Sequence, residues 1–322
     1  MNQPHRSTQR RAAAASPLLL LLVLGASACT DRADPFSPTA APGISTAAGG
    51  RPKGTPTRGL IAFSHSVSGN QEIYTVAEDG SGLRRLTYNV EPDDSPSWSP
   101  DARKLAYVSQ RGGRREIHVM NADGSGGKQL SKLAPAITAV TDVAWSPDGR
   151  RIAFAARAEG EDYRDVYVMS ASGSSVTRLT TADGDDLQPT WSPDGERIAF
   201  ASAGGVPGDP FEVYMMNPDG SNVARETDCA FNCWHPDWSP DGARLAYNEL
   251  YSIRIKNLAT SYVADFAEMA GGPAWSPDGV RLVYTRVDDF GILMTISADA
   301  TGADTLVSFP NSWAAWDADW GR

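Results

Sequence analysis

Trp191-Ser192-Pro193-Asp194-Gly195, followed by Ile198-Ala199-Phe200, is the stretch whose reading fixes the architecture. Ser-Pro-Asp-Gly is turn chemistry: proline presets φ at the second position, aspartate bonds its own backbone, and glycine takes the positive φ at the exit. In Ile-Ala-Phe, large and small residues alternate, as in a strand whose two faces pack at different distances. Tryptophan strand, turn and Ile-Ala-Phe strand therefore make a hairpin. Further copies are Trp98-Ser99-Pro100-Asp101-Ala102, Trp145-Ser146-Pro147-Asp148-Gly149, Trp238-Ser239-Pro240-Asp241-Gly242 and Trp275-Ser276-Pro277-Asp278-Gly279, with a decayed sixth at Trp320-Gly321. The tryptophans lie 47, 46, 47, 37 and 45 residues apart. A period in the forties, with four strands per unit, is the sequence sign of a propeller blade.

The rest of each period supplies the other strands. Ile73-Tyr74-Thr75-Val76, Ile117-His118-Val119-Met120, Val166-Tyr167-Val168-Met169 and Val213-Tyr214-Met215-Met216 read as third strands. They run into tight turns such as Asp79-Gly80, Asp123-Gly124 and Asp219-Gly220. Polar fourth strands follow, as in Arg84-Arg85-Leu86-Thr87, and polarity suits an edge that meets water. The first unit, Leu60-Ile61-Ala62-Phe63, has no tryptophan strand before it, and the last, Asp317-Ala318-Asp319-Trp320, has no Ile-Ala-Phe strand after it. The expectation is an all-β, six-bladed β-propeller of four-stranded blades, closed by pairing of the C-terminal strand with the N-terminal blade.

The run x-Pro-x-Trp-Ser-Pro-Asp-Gly, Ile-Ala-Phe, Ile-Tyr-Val-Met, Leu-Thr resembles the WD-like repeat of TolB-type β-propellers over about residues 58–322. The fifth repeat departs from it, being short and lacking the Leu-Thr ending around Val263 to Met269. The sixth has Asp299-Ala300-Thr301-Gly302 in place of an Asp-Gly turn. The resemblance implies the fold firmly and function weakly, because such blades serve very different proteins. Peptidases with similar blades carry their serine in a separate hydrolase domain, and oligogalacturonate lyases with similar blades use a histidine-rich metal site.

Of the 322 residues, 41% are hydrophobic, enough for a sizeable core, and the formal charge of −10 argues against a nucleic-acid partner. Residues 1–28 read as a signal peptide: Arg6, Arg10 and Arg11, then an apolar run from Leu18 to Leu24, then small residues. Ala26-Ser27-Ala28 suits ordinary cleavage, whereas the same residues before Cys29 resemble a lipobox whose cysteine is lipidated; the lipoprotein reading is preferred. Loss of the three arginines takes the charge from −10 to −13, so membrane contact is expected only through the lipid. Residues 29–57, rich in Pro, Ala, Ser, Thr and Gly, read as a tether. Cys229 and Cys233 are expected to form a local disulfide in an oxidising compartment, a metal pair being the alternative.

The aspartate recurring in every Ser-Pro-Asp turn is read as structural, since one residue repeated by the fold cannot be one active site. The acids before the tryptophan strands, Glu91, Asp93, Asp94, Asp142, Asp183, Asp185, Asp186 and Asp317, are expected to crowd one mouth of the central channel. They make either a solvated rim or an electronegative mouth for a basic segment or a cation. Trp234 and His235, in the loop with Phe231, and Trp313 and Trp316 near the C-terminus, add aromatic anchors. The expected binding set is Asp94, Asp142, Asp186, Trp234, His235, Trp316 and Asp317. No G-x-S-x-G elbow or P-loop is present, histidines are few, and His118 reads as packed in a strand. No catalytic residue, cofactor or metal is assigned. The expectation is a monomeric, non-catalytic cell-envelope propeller on the periplasmic side, binding an envelope protein or extracellular ligand. The alternative is a metal-dependent carbohydrate-active lyase or hydrolase using the acidic mouth with His235.

Overall fold

In a computed structural model, residues 39–40, 59–67, 69–131, 133, 136–205, 209–286, 292–309 and 316–321 are described, with only the backbone of Thr39, Ala40, Val67 and Trp316. The expected signal peptide, Cys29, most of the expected tether and Trp313 lie outside them.

Six antiparallel sheets form. The first blade orders Trp316–Trp320, Leu60–Val67, Asn70–Ala77 and Arg84–Arg85. The second runs Asp93–Trp98, Lys104–Arg111, Arg114–Asn121 and Lys128–Gln129. The third runs Ile137–Trp145, Arg151–Ala158, Arg164–Ser170 and Thr177–Arg178. The fourth runs Asp186–Trp191, Ile198–Ser202, Glu212–Met216 and Ala224–Arg225. The fifth runs Cys233–Trp238, Arg244–Glu249, Ser252–Asn257 and Val263–Glu268. The sixth runs Ala270–Trp275, Arg281–Arg286, Ile292–Ser297 and Asp304–Ser308, to whose edge Thr39–Ala40 adds. In the first blade Ile61 lies opposite Trp320 and Ala62 opposite Asp319, so both ends of the repeat share one sheet. Each tryptophan strand touches the tryptophan strands of the blades on either side, which places these six around a common axis.

The alternation in Ile-Ala-Phe has a packing reason. Ile152 and Phe154 face back onto Ala106, Val108 and Ile117 of the second blade, while Ala153 faces forward onto Trp191 and Phe200 of the fourth. Ile61 and Phe63 face Ala274, Val283 and Leu306 of the sixth blade, and Ala62 faces Trp98 of the second. The small residue makes room for the next blade's tryptophan. The core is therefore six separate layers between blades.

The turn motif repeats its bonds five times. The serine Oγ donates to the aspartate Oδ1 at 2.5–2.7 Å. It also accepts a backbone N–H five residues on, at 2.9 Å. These bonds hold Asp101, Asp148, Asp194, Asp241 and Asp278 below the usual carboxylate range. The Leu-Thr ending is explained by a clamp. Thr87, Thr180 and Thr227 accept the N–H of Ile73, Val166 and Val213 at 2.8–2.9 Å, and Ser131 does the same for Ile117. Each hydroxyl also meets the buried acid one residue before that N–H: Glu72, Glu116, Asp165 or Glu212.

Candidate functional site

Each tryptophan strand enters from one face and leaves at its Ser-Pro-Asp turn or equivalent on the other. The hairpins joining second and third strands therefore share the entry face. On the way in, every tryptophan strand bulges, with a register break before its tryptophan. The third residue before each tryptophan has a positive φ: Ser95 (50°), Asp142 (54°), Gln188 (54°), His235 (51°), Gly272 (59°) and Asp317 (56°). A left-handed conformation costs a non-glycine residue roughly 1–2 kcal/mol. Five of the six positions bear that cost, and such strain clusters at functional sites.

These residues form a collar. A cavity of about 530 Å³ lies on the entry side, lined by Gln71, Asp94, Arg115, Thr141 and Arg164 among others. A smaller cavity of about 160 Å³ lies beyond, among the tryptophans and Ser-Pro turns. Both are lined by Ser95, Asp142, Gln188, His235 and Asp317, so the strained residues stand where the two meet.

Gln188 fixes the histidine. Its Oε1 accepts the backbone N–H of His235 at 2.8 Å, which turns its amide NH₂ toward His235 Nε2 at 2.9 Å. The Gln188 amide thus holds the His235 ring in place from one side. Gly272, having no side chain, leaves His235 Nε2 and Asp317 Oδ1 3.7 Å apart across the sixth blade. Ser95 Oγ lies 3.4 Å from Asp317 Oδ2. Asp94 is held by Arg115 at 2.6 Å, although burial still raises its pKa. Among the described residues no lysine or arginine pairs with Asp142 or Asp317. Burial, then the charge of Asp317, pushes the Asp142 carboxyl up to about 6.

Four of the seven expected binding residues, Asp94, Asp142, His235 and Asp317, thus line one cavity. Asp186 does not: it is buried between blades, where burial raises its pKa and the hydroxyls of Ser202 and Thr180 bond it. Asp93 is likewise buried and accepts a bond from Ser109 at 2.5 Å. Trp234 lies against Phe211, ring centroids 3.9 Å apart, and lines neither cavity. The backbone of Trp316 lies opposite Ser64, and its side chain is outside the described set. Sequence reasoning missed Ser95, Gln188 and Gly272; the signal was the residue before proline in Ser95-Pro96, Gln188-Pro189 and Gly272-Pro273, matching His235-Pro236. His65 and His118 are buried, and desolvation pushes both down to about 4. Cys229 and Cys233 form a disulfide. With Glu212 they are the one set of three close metal-type donors among the described residues, and both sulfurs are spent on each other.

The model of the TolB beta propeller domain matches residues 39–141 and 133–228. The chain belongs to that family. It is 31% identical over 124 residues to the Tol-Pal system protein TolB of Desulfosudis oleivorans, covering 38% of this chain and 27% of that protein. It is 38% identical over 130 residues to a TolB homolog of Chlorobium chlorochromatii, covering 40% and 28%. The chain thus spans little more than a quarter of the length of these two relatives. TolB from Acinetobacter baumannii superposes with a TM-score of 0.72 at 24% identity, over 83% of this chain and 67% of that one, a likeness of fold.

Proposed function

We propose that this TolB-family propeller is a non-catalytic binding module on the periplasmic side of the cell envelope. It takes a cationic side chain of a partner polypeptide into the collar. The observation that carries this is the pair Asp142 and Asp317, unmatched by a lysine or arginine among the described residues, beside a histidine that Gln188 holds in place. A lysine or arginine arriving between them supplies the missing charge. Relatives named for the Tol-Pal system support an envelope protein as the partner. Anchoring through lipidated Cys29, behind a tether, is the part of this reading that places the propeller at the membrane.

The test is photo-crosslinking in intact cells from position 71, which lines the wide cavity. One envelope protein should be captured, and Asp142→Asn with Asp317→Asn should abolish its capture while leaving the propeller folded. Capture unchanged in the double variant refutes the collar as the contact.

A further inference from the structure

Exposed apolar side chains occur on several blades, Tyr88 and Val90 before the second among them. Phe231 (56% exposed), Leu250 (52%), Tyr251 (57%) and Met269 (43%) gather at the fifth blade on the entry face. They are knit together: Leu250 donates its N–H to Asn232 O at 3.2 Å, and Ala270 donates to Tyr251 O at 2.9 Å. Glu249 Oε1 accepts the N–H of Ala230 at 2.8 Å, and the disulfide closes residues 229–233 beside them. This is a built surface and not a frayed loop.

Local preference argues against its residues. Glu249 pairs with Ser252, so the hairpin turns on Leu250 and Tyr251 alone. The matching hairpin of the second blade turns on Gly112 and Gly113, at φ +57° and +79°. Leu250 adopts φ 55° and Met269 53°, a conformation that bulky residues avoid. The fifth blade thus bears both backbone strain and apolar exposure where a sister blade uses glycine. Exposed apolar patches rimmed by polar residues mark interaction sites.

We propose that Phe231, Leu250, Tyr251 and Met269 form a docking platform for an extended, basic segment of a protein partner. Its apolar side chains lie on the fifth blade while a lysine or arginine reaches the collar. The proposal rests on the collar reading above and adds the partner's chemistry and spacing. Two strands lead from platform to collar: Phe231 precedes His235 by four residues, and Met269 precedes Gly272 by three. At ~3.3 Å per residue the gap is roughly 10–13 Å, which an extended partner crosses in about four residues. The flanking Glu268 is exposed, and together with the acids of the collar it favours a basic segment and repels an anionic lipid surface, whereas Asp228 is already paired with Arg225.

Fluorescence anisotropy on the full chain tests this with three synthetic 12-residue peptides. One carries Leu-Trp and, four residues later, lysine; a second replaces the lysine by glutamate; a third replaces Leu-Trp by serines. The first should bind at least tenfold more tightly than either control. Leu250→Gly with Tyr251→Gly should remove the advantage of Leu-Trp and leave the thermal midpoint unchanged or raised. Asp142→Asn with Asp317→Asn should remove the advantage of lysine alone. Equal affinity of the glycine variant and the wild type for the first peptide overturns the platform while leaving the collar reading intact. Equal binding of the lysine and glutamate peptides overturns the basic-segment assignment. Binding to phosphatidylethanolamine–phosphatidylglycerol vesicles that the glycine variant loses assigns the patch to lipid and overturns the proposal.

Discussion

The fourth and fifth blades are neighbours built from one repeat, and they use their polar residues differently. The fourth ends in a two-residue outer strand locked by Thr227, whose Oγ accepts from Val213 and donates to the buried Glu212, itself paired with Arg225. In the fifth, the outer strand Val263–Glu268 is six residues long and no acid precedes Ile253. Arg254 pairs with Glu249 and Asp265 instead. The lesson is that an acid repeated at the same position of blade after blade belongs to the fold. An acid, histidine or apolar residue at a position where sister blades carry other residue types is where function is to be sought.

The largest expected effect lies in the shared core. Phe154→Ala removes a fully buried ring between the second and third blades and should cost about 3–5 kcal/mol, read as a fall in denaturant midpoint. A loss under ~1 kcal/mol would mean that the interblade layers do not hold the blades together. Next comes the clamp. Thr180→Val leaves the Val166 N–H and the buried Asp165 without their hydroxyl partner and should cost roughly 1–3 kcal/mol. Thr260→Val, in the fifth blade and outside any clamp, should stay within about 0.5 kcal/mol; equal effects would erase the contrast.

The collar should behave in the opposite direction. Because the Asp142 carboxyl is pushed up to about 6 in the folded chain, ionising it opposes folding. The wild type therefore loses this share of stability as pH rises from about 4 to about 6. Asp142→Asn should be more stable than wild type at pH 7.5 by on the order of 1–3 kcal/mol, and the difference should vanish near pH 4. The smallest effect is in the turns. Asp194→Ala should cost within about 1 kcal/mol at neutral pH. The pKa of Asp194 is lowered on folding, so its contribution is present above the ordinary carboxylate range and lost as pH falls below it. A thermal melt series from pH 3 to 7.5 checks both signs.

Most of the fold was legible because its determinants are local. The Ser-Pro-Asp turn closes on itself within six residues, and the Ile-Ala-Phe alternation states which side chain faces which blade. The collar was half legible. Asp142, His235 and Asp317 are in phase three residues before their tryptophans, but the bulge that aims them arises from strand register, which composition does not carry. Asp94 and Asp186 sit near equivalent places in sequence, yet Asp94 lines the cavity with Arg115 while Asp186 is folded inward onto Ser202 and Thr180. Period-two alternation decides that, and a bulge resets it. Trp234 looked like a free anchor because its partner, Phe211, belongs to another blade.

The central claim is that the collar holds uncompensated negative charge. Carbon-13 NMR of the Asp142 side-chain carboxyl, titrated in the free protein and in Asp317→Asn, tests it most directly. A midpoint near 6 that falls in Asp317→Asn is predicted; an ordinary carboxylate midpoint indifferent to Asp317 would contradict it.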